Sequence, residues 1–195
     1  MRLPSVALVA VLSIIGGCAA QEELIAKSAD VPPGIDLSGQ WRLRADSQDT
    51  VKRISDAELE AAGAKERIIP VPERQSQQSR QRSSAGTLVH VFLETGSSLK
   101  ITQTQYGLFI SFDRSVVEEF RFGEHRMVSV GAVEAQRVSG WDGTQLVVET
   151  LGKNGMKLTD RFYLTDGGDT LKREITLRSK KLEEESVVQE FDRVE

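Results

Sequence analysis

The chain has 195 residues, 39% of them hydrophobic, which supports one core of ordinary size. Its 25 basic and 29 acidic residues give a net charge of −4, without the basic surplus that marks nucleic-acid partners. A single cysteine, Cys18, and two histidines, His90 and His125, exclude an internal disulfide and a cysteine- or histidine-rich metal cluster; no metal or cofactor is expected.

Arg2 precedes an uncharged, mostly apolar run from Val6 to Ile15. That is the length of a secretory signal and short of the roughly 20 apolar residues that span a bilayer. The run closes on Ile15-Gly16-Gly17-Cys18, which resembles the bacterial lipobox: a branched aliphatic residue, two small residues, then cysteine. The resemblance implies a signal peptide over residues 1–17 and lipid attachment at Cys18. Small side chains beside the cut suit a signal peptidase, and the thiol receives diacylglycerol. Each buried CH₂ contributes about 0.8 kcal/mol, so two or three acyl chains would hold the protein permanently at a membrane. Ala19 in place of an aspartate resembles the Gram-negative sorting pattern for the outer membrane. The implied location is the outer membrane, lipid-anchored, with the domain facing the periplasm.

Residues 18–36 are small and polar, with a stiff break at Pro32-Pro33-Gly34, and read as a tether to a domain over 37–195. "GQWRLRA" opens the domain as a strand. In "SDAELEAAG", Ser55 or Asp56 as cap and Gly63 as stop predict a short helix. Residues 65–86 carry five positive and two negative charges, and "PERQSQQSRQRSSAG" within them has almost no apolar residue. They read as a solvated, flexible insert, or else as a basic arm facing lipid phosphates or an acidic partner.

Beyond Leu88 the pattern becomes β. "LKITQTQYGLFISF" predicts two strands about Gln105-Tyr106-Gly107, and "VVEEFRF" a third that stops at Gly123. "AQRVSGW" and "TQLVVET" flank Asp142-Gly143; "GMKLTDRFYL" follows Asn154-Gly155, and "TLKREITLR" follows Asp166-Gly167-Gly168. Turn dipeptides at this regular spacing predict an antiparallel meander, which "SVVQEFDRV" completes. The fold expected is mostly β: an up-and-down sheet of about 8–10 strands curled into a barrel, with one or two short helices. Closure removes exposed sheet edges.

Gly39-Gln40-Trp41 resembles the Gly-x-Trp entrance of lipocalins. "ITQTQYGLFISF", "SGWDGTQLVVET", "DRFYLTDGGDTLKREITL" and "EFDRV" resemble a loose group of bacterial envelope proteins with lipocalin-like domains. The resemblance implies a lipocalin-like barrel in which Trp41 plugs the closed end. Arg193 of the last strand would stack on its face, as lipocalins arrange it.

Strand alternation places polar side chains among apolar ones on one face. Asp160 shares a face with Met156, Leu158, Phe162 and Leu164; Arg173 shares one with Leu171, Ile175 and Leu177. A four-residue turn over Asp166–Asp169 pairs Phe162 with Arg173 and leaves Asp160 on the diagonal, within reach of the guanidinium. Arg137, Glu118 and Gln103 lie similarly on the apolar faces of their strands. Gln103, Glu118, Arg137, Asp160 and Arg173 form the candidate ligand-binding set, the arginines facing a carboxylate or phosphate. The competing reading is a set of structural ion pairs. No phosphate loop, serine elbow or metalloenzyme spacing is present, and no catalytic residue is assigned. Two functions remain open: a membrane-anchored binder of a small hydrophobic or amphipathic ligand or of an envelope protein, and a structural or interaction module with a filled barrel.

Overall fold

A computed structural model describes residues 22–47, 50–61, 88–179 and 184–194. The signal segment, Cys18 and the 65–86 insert lie outside the described residues. Ten strands follow in chain order: β1 (Gly39–Leu43), β2 (Ser98–Gln103), β3 (Gly107–Phe112), β4 (Val116–Arg121), β5 (Glu124–Val130), β6 (Val133–Asp142), β7 (Gln145–Gly152), β8 (Lys157–Thr165), β9 (Thr170–Arg178) and β10 (Glu185–Val194). Helices α1 (Thr50–Ala61) and α2 (Leu88–Phe92) lie between β1 and β2.

All ten strands join one antiparallel sheet, in the order β4-β3-β2-β1-β10-β9-β8-β7-β6-β5. Its two edges, β4 and β5, are consecutive in sequence and joined at Gly123, whose φ of +75° suits the tight reversal. The sheet therefore curls until its ends meet, giving a nearly closed up-and-down barrel with one unladdered seam. Side chains bridge that seam. Ser139 donates its hydroxyl to the Arg121 carbonyl at 2.7 Å, and Phe122 packs edge-on against Trp141 with ring centres 5.3 Å apart.

The turn dipeptides fix the expected registers. Gly143 and Gly155 take positive φ at the β6–β7 and β7–β8 turns. The Asp166–Asp169 turn pairs Phe162 with Arg173, as strand alternation requires. Three local expectations differ. Helix α1 starts at Thr50, well before Ser55, because its buried face begins at Ile54 and continues at Glu58; Arg53 also pairs with Glu185 of β10 at 2.7 Å. "LVHVF" is helical because Leu88, Val89, Phe92 and Leu93 all bury, a helical rather than alternating spacing. It carries His90 on an exposed position. His125 lies in β5, a strand absent from the expected series; it is largely exposed on both faces, so it lacks the alternation that would reveal it.

Two apolar clusters line the barrel interior. One, at the Trp41 end, gathers Trp41, Leu99, Ile110, Phe162, Leu171 and Phe191 among others. The other, at the helical end, packs Ile54 of α1 and Val89 and Phe92 of α2 on Leu158, Ile175, Leu177 and Val187.

Residues 22–36, part of the segment that composition assigns to a tether, lie with Leu37 along the outside of the barrel as a strap. Glu22 pairs with Lys157 at 3.1 Å and with Arg178, and Leu24 is buried on the outward side chains of Val138 and Leu151. Lys27 meets Glu149 at 3.3 Å. Ser28 and Trp141 exchange both backbone hydrogen bonds, at 3.0 and 2.9 Å. Glycine is required where the strap crosses β6: a Cβ on Gly140 would collide with the Ser28 carbonyl oxygen. Val31, Ile35 and Leu37 then close the Trp41 end.

Candidate functional site

Between the two apolar clusters the strands present one layer of polar side chains. Along β8 the inward series is Leu158, Asp160, Phe162; along β9 it is Leu171, Arg173, Ile175; along β10 it is Val187, Gln189, Phe191. In each, the polar residue lies at the level where one cluster gives way to the other. Arg137 of β6, Thr150 of β7 and Glu118 of β4 continue the layer toward the seam.

Arg173 is 1% exposed, and all three of its guanidinium nitrogens donate. Nε reaches Asp160 at 2.9 Å, Nη2 reaches Asp160 at 2.6 Å, and Nη1 reaches the Glu94 carbonyl at 2.9 Å. Phe112 and Phe162 flank the cation, with ring centres 5.3 and 5.2 Å from its central carbon. Such a buried pair tolerates its desolvation only with good geometry and further hydrogen bonds, and both are present. Each guanidinium nitrogen of Arg173 thus already has one acceptor, and Asp160 balances its charge.

Arg137 is held more loosely. Its Nε donates to Thr150 at 3.1 Å, and Nη1 meets Glu118 at 3.4 Å, while Phe92 and Phe120 flank it. Burial raises the Glu118 carboxyl above its ordinary value, opposed by the neighbouring charge of Arg137. Burial correspondingly works against the charge on Arg137, with Glu118 opposing. Gln189 pairs in register with Arg173; it is 2% exposed, and its Oε1 has no partner among the described residues.

Of the candidate set, Glu118, Arg137, Asp160 and Arg173 thus come together in one interior layer. Gln103 does not. Its Nε2 donates to the Ile35 carbonyl and its Oε1 accepts from the Leu37 N–H, both at 2.9 Å, so it fastens the strap to the Trp41 end. Sequence alternation alone could have found Gln189, an inward polar residue between Val187 and Phe191. The Glu94 carbonyl carries no sequence signal. At the Trp41 end, the Arg193 guanidinium lies 4.2 Å from the Trp41 ring centre and donates to the carbonyls of Ser38 and Gly168. The Trp41 Nε1–H donates to the Leu37 carbonyl at 3.1 Å.

Fold and site together define a ten-stranded, nearly closed up-and-down β-barrel with a charged layer across its interior. No protein-family model matches the chain, and no curated protein matches it in sequence. Solved structures do align with it. Secretory abundant heat soluble protein 4 from Ramazzottius varieornatus is 16% identical, with a TM-score of 0.47, over 82% of this chain and 95% of that one. A Schistosoma mansoni fatty acid binding protein in complex with arachidonic acid is 14% identical, with a TM-score of 0.47, over 82% and 96%. Apo lipid binding protein 8 from Caenorhabditis elegans is 12% identical, with a TM-score of 0.44, over 80% and 94%. The barrel described above rests on its own strand register and not on these likenesses.

Proposed function

We propose that this chain is a membrane-anchored envelope lipoprotein whose barrel binds a small amphipathic molecule. The apolar part of the ligand lies among the aromatic side chains, and its polar end meets the interior layer. The observation that carries this reading is hydrogen-bonding capacity left unused inside an otherwise satisfied layer. Gln189 Oε1 is buried without a partner among the described residues. Because Arg173 is already paired with Asp160 and Arg137 faces Glu118, the layer suits an uncharged head group offering a hydroxyl or amide donor better than a free carboxylate or phosphate.

Native mass spectrometry of an exported, unacylated Cys18→Ser protein tests the reading. A bound small molecule that is lost in Gln189→Leu, with the fold retained, is the expected result. A bare mass, together with no uptake of an uncharged fluorescent fatty alcohol, overturns it. The second reading, a structural module with a filled interior, is favoured by the Asp160–Arg173 pair, whose charges satisfy each other within the barrel, and would then hold.

A further inference from the structure

We propose that the helix-capped end of the barrel, bearing α1, α2, Lys153, Lys157 and Arg178, is held against the surface of a lipid bilayer. The proposal rests on lipid attachment at Cys18 and adds the orientation of the domain. Three residues, Ala19 to Gln21, separate Cys18 from Glu22. Four Cα–Cα steps extend at most about 15 Å. Glu22 is where the strap begins, and it is fixed there. It pairs with Lys157, the first residue of β8, and with Arg178, the last of β9. Leu158 and Leu177, next to those two residues, belong to the cluster packed on α1 and α2.

The strap is anchored at several points between the two ends of the barrel. Leu24 is 5% exposed, Lys27 pairs with Glu149, and Ser28 is bonded through both backbone groups to Trp141. While these contacts hold, an acyl group on Cys18 reaches only the end at which Glu22 sits. The opposite end, with Trp41 and the Gly143 and Gly167 turns, lies a full strand length away, about 25 Å for a strand such as β7. The orientation follows from the length of the tether and the docked strap and does not draw on the charges described at this end: Lys157 and Arg178 are paired with Glu22, Lys153 with Glu134, and Arg53 with Glu185. It is therefore expected already in a zwitterionic bilayer.

Acylation consumes the Cys18 thiol, the only one in the chain, so one introduced cysteine can be labelled uniquely. Thr144 and Lys153 flank β7 at its two ends, and both are exposed. The full chain carrying Lys153→Cys or Thr144→Cys is expressed in a bacterial host, labelled with bimane and reconstituted into phosphatidylcholine vesicles that contain a head-group nitroxide lipid. The label at position 153 is expected to lose most of its fluorescence and the label at 144 little. Adding Leu24→Asp and Ser28→Pro undocks the strap and is expected to abolish the difference while the protein stays on the vesicles. Equal quenching at the two sites of the acylated, strap-docked chain overturns the orientation but leaves the anchor intact. A contrast that survives undocking also overturns it. A chain recovered soluble, without acyl mass, instead overturns the anchoring reading and the orientation with it.

Discussion

Asp160 and Arg173 provide the sharpest test of how the interior is held. Asp160→Leu leaves Arg173, 1% exposed, with the Glu94 carbonyl as its one remaining acceptor among the bonds described above. Arg173→Met leaves a carboxylate, 9% exposed, among Leu158 and Phe162. Removing one partner of a buried ion pair destabilises by about 3–5 kcal/mol, because the other charge stays buried and unpaired. For a domain of this size that lowers the midpoint of thermal unfolding by roughly 6–20 °C. The double variant removes both charges together and is expected within about 1 kcal/mol of the original protein, since apolar replacement of such pairs is often neutral. The double-mutant cycle should therefore show a coupling of at least about 5 kcal/mol. Urea unfolding followed by the fluorescence of the buried Trp41 and Trp141 measures all four states. Additive single effects, with coupling below about 1 kcal/mol, would refute the account of the layer as a mutually dependent pair.

Glu118 makes a pH-dependent contribution of defined sign. Its carboxyl is raised above 4.5 in the folded state, so the folded protein binds that proton more tightly than the unfolded chain. The associated stability is full below the unfolded value and is lost as pH rises through the raised one. The stability of the unsubstituted protein relative to Glu118→Gln is expected to fall across that window and then level off; a flat or rising difference would contradict it. Arg193→Ala removes the stacking on Trp41 and two hydrogen bonds to carbonyls at an exposed position, and is expected to cost about 1–2 kcal/mol in denaturant unfolding. No change would show that the contact with Trp41 contributes nothing. Gly140→Ala places a methyl group against the Ser28 oxygen and 2.9 Å from the Gly123 nitrogen. Faster hydrogen exchange at the Ser28 and Trp141 amides, with β8 and β9 unaffected, is the expected signature; unchanged exchange at both would mean that the strap seats without Gly140.

The parts of this barrel legible in the sequence are those governed by short-range rules. Alternation in "GMKLTDRFYL" and "TLKREITLR", with one glycine-rich turn between them, sets the β8–β9 register, and the Asp160–Arg173 contact follows from two-residue periodicity and the reach of a guanidinium. The contact of Trp41 with Arg193 is expected from the resemblance to lipocalins and not from a local pattern; β1 and β10 pair antiparallel and place the two directly opposite each other. Tertiary structure alone decided the rest. Leu24 is buried by Val138 and Leu151, more than a hundred residues along the chain, and no local pattern separates a docked strap from a free tether. Gln103 satisfies the same alternation as Arg137 yet points at the Ile35–Leu37 backbone, because the segment that closes the Trp41 end offers it both a donor and an acceptor. The layer acquired the Glu94 carbonyl and Gln189 Oε1 through packing, since a main-chain acceptor has no residue signature and an unpaired amide oxygen exists only once its surroundings are fixed. Periodicity determined which side chains face inward; curling the sheet determined which of them meet.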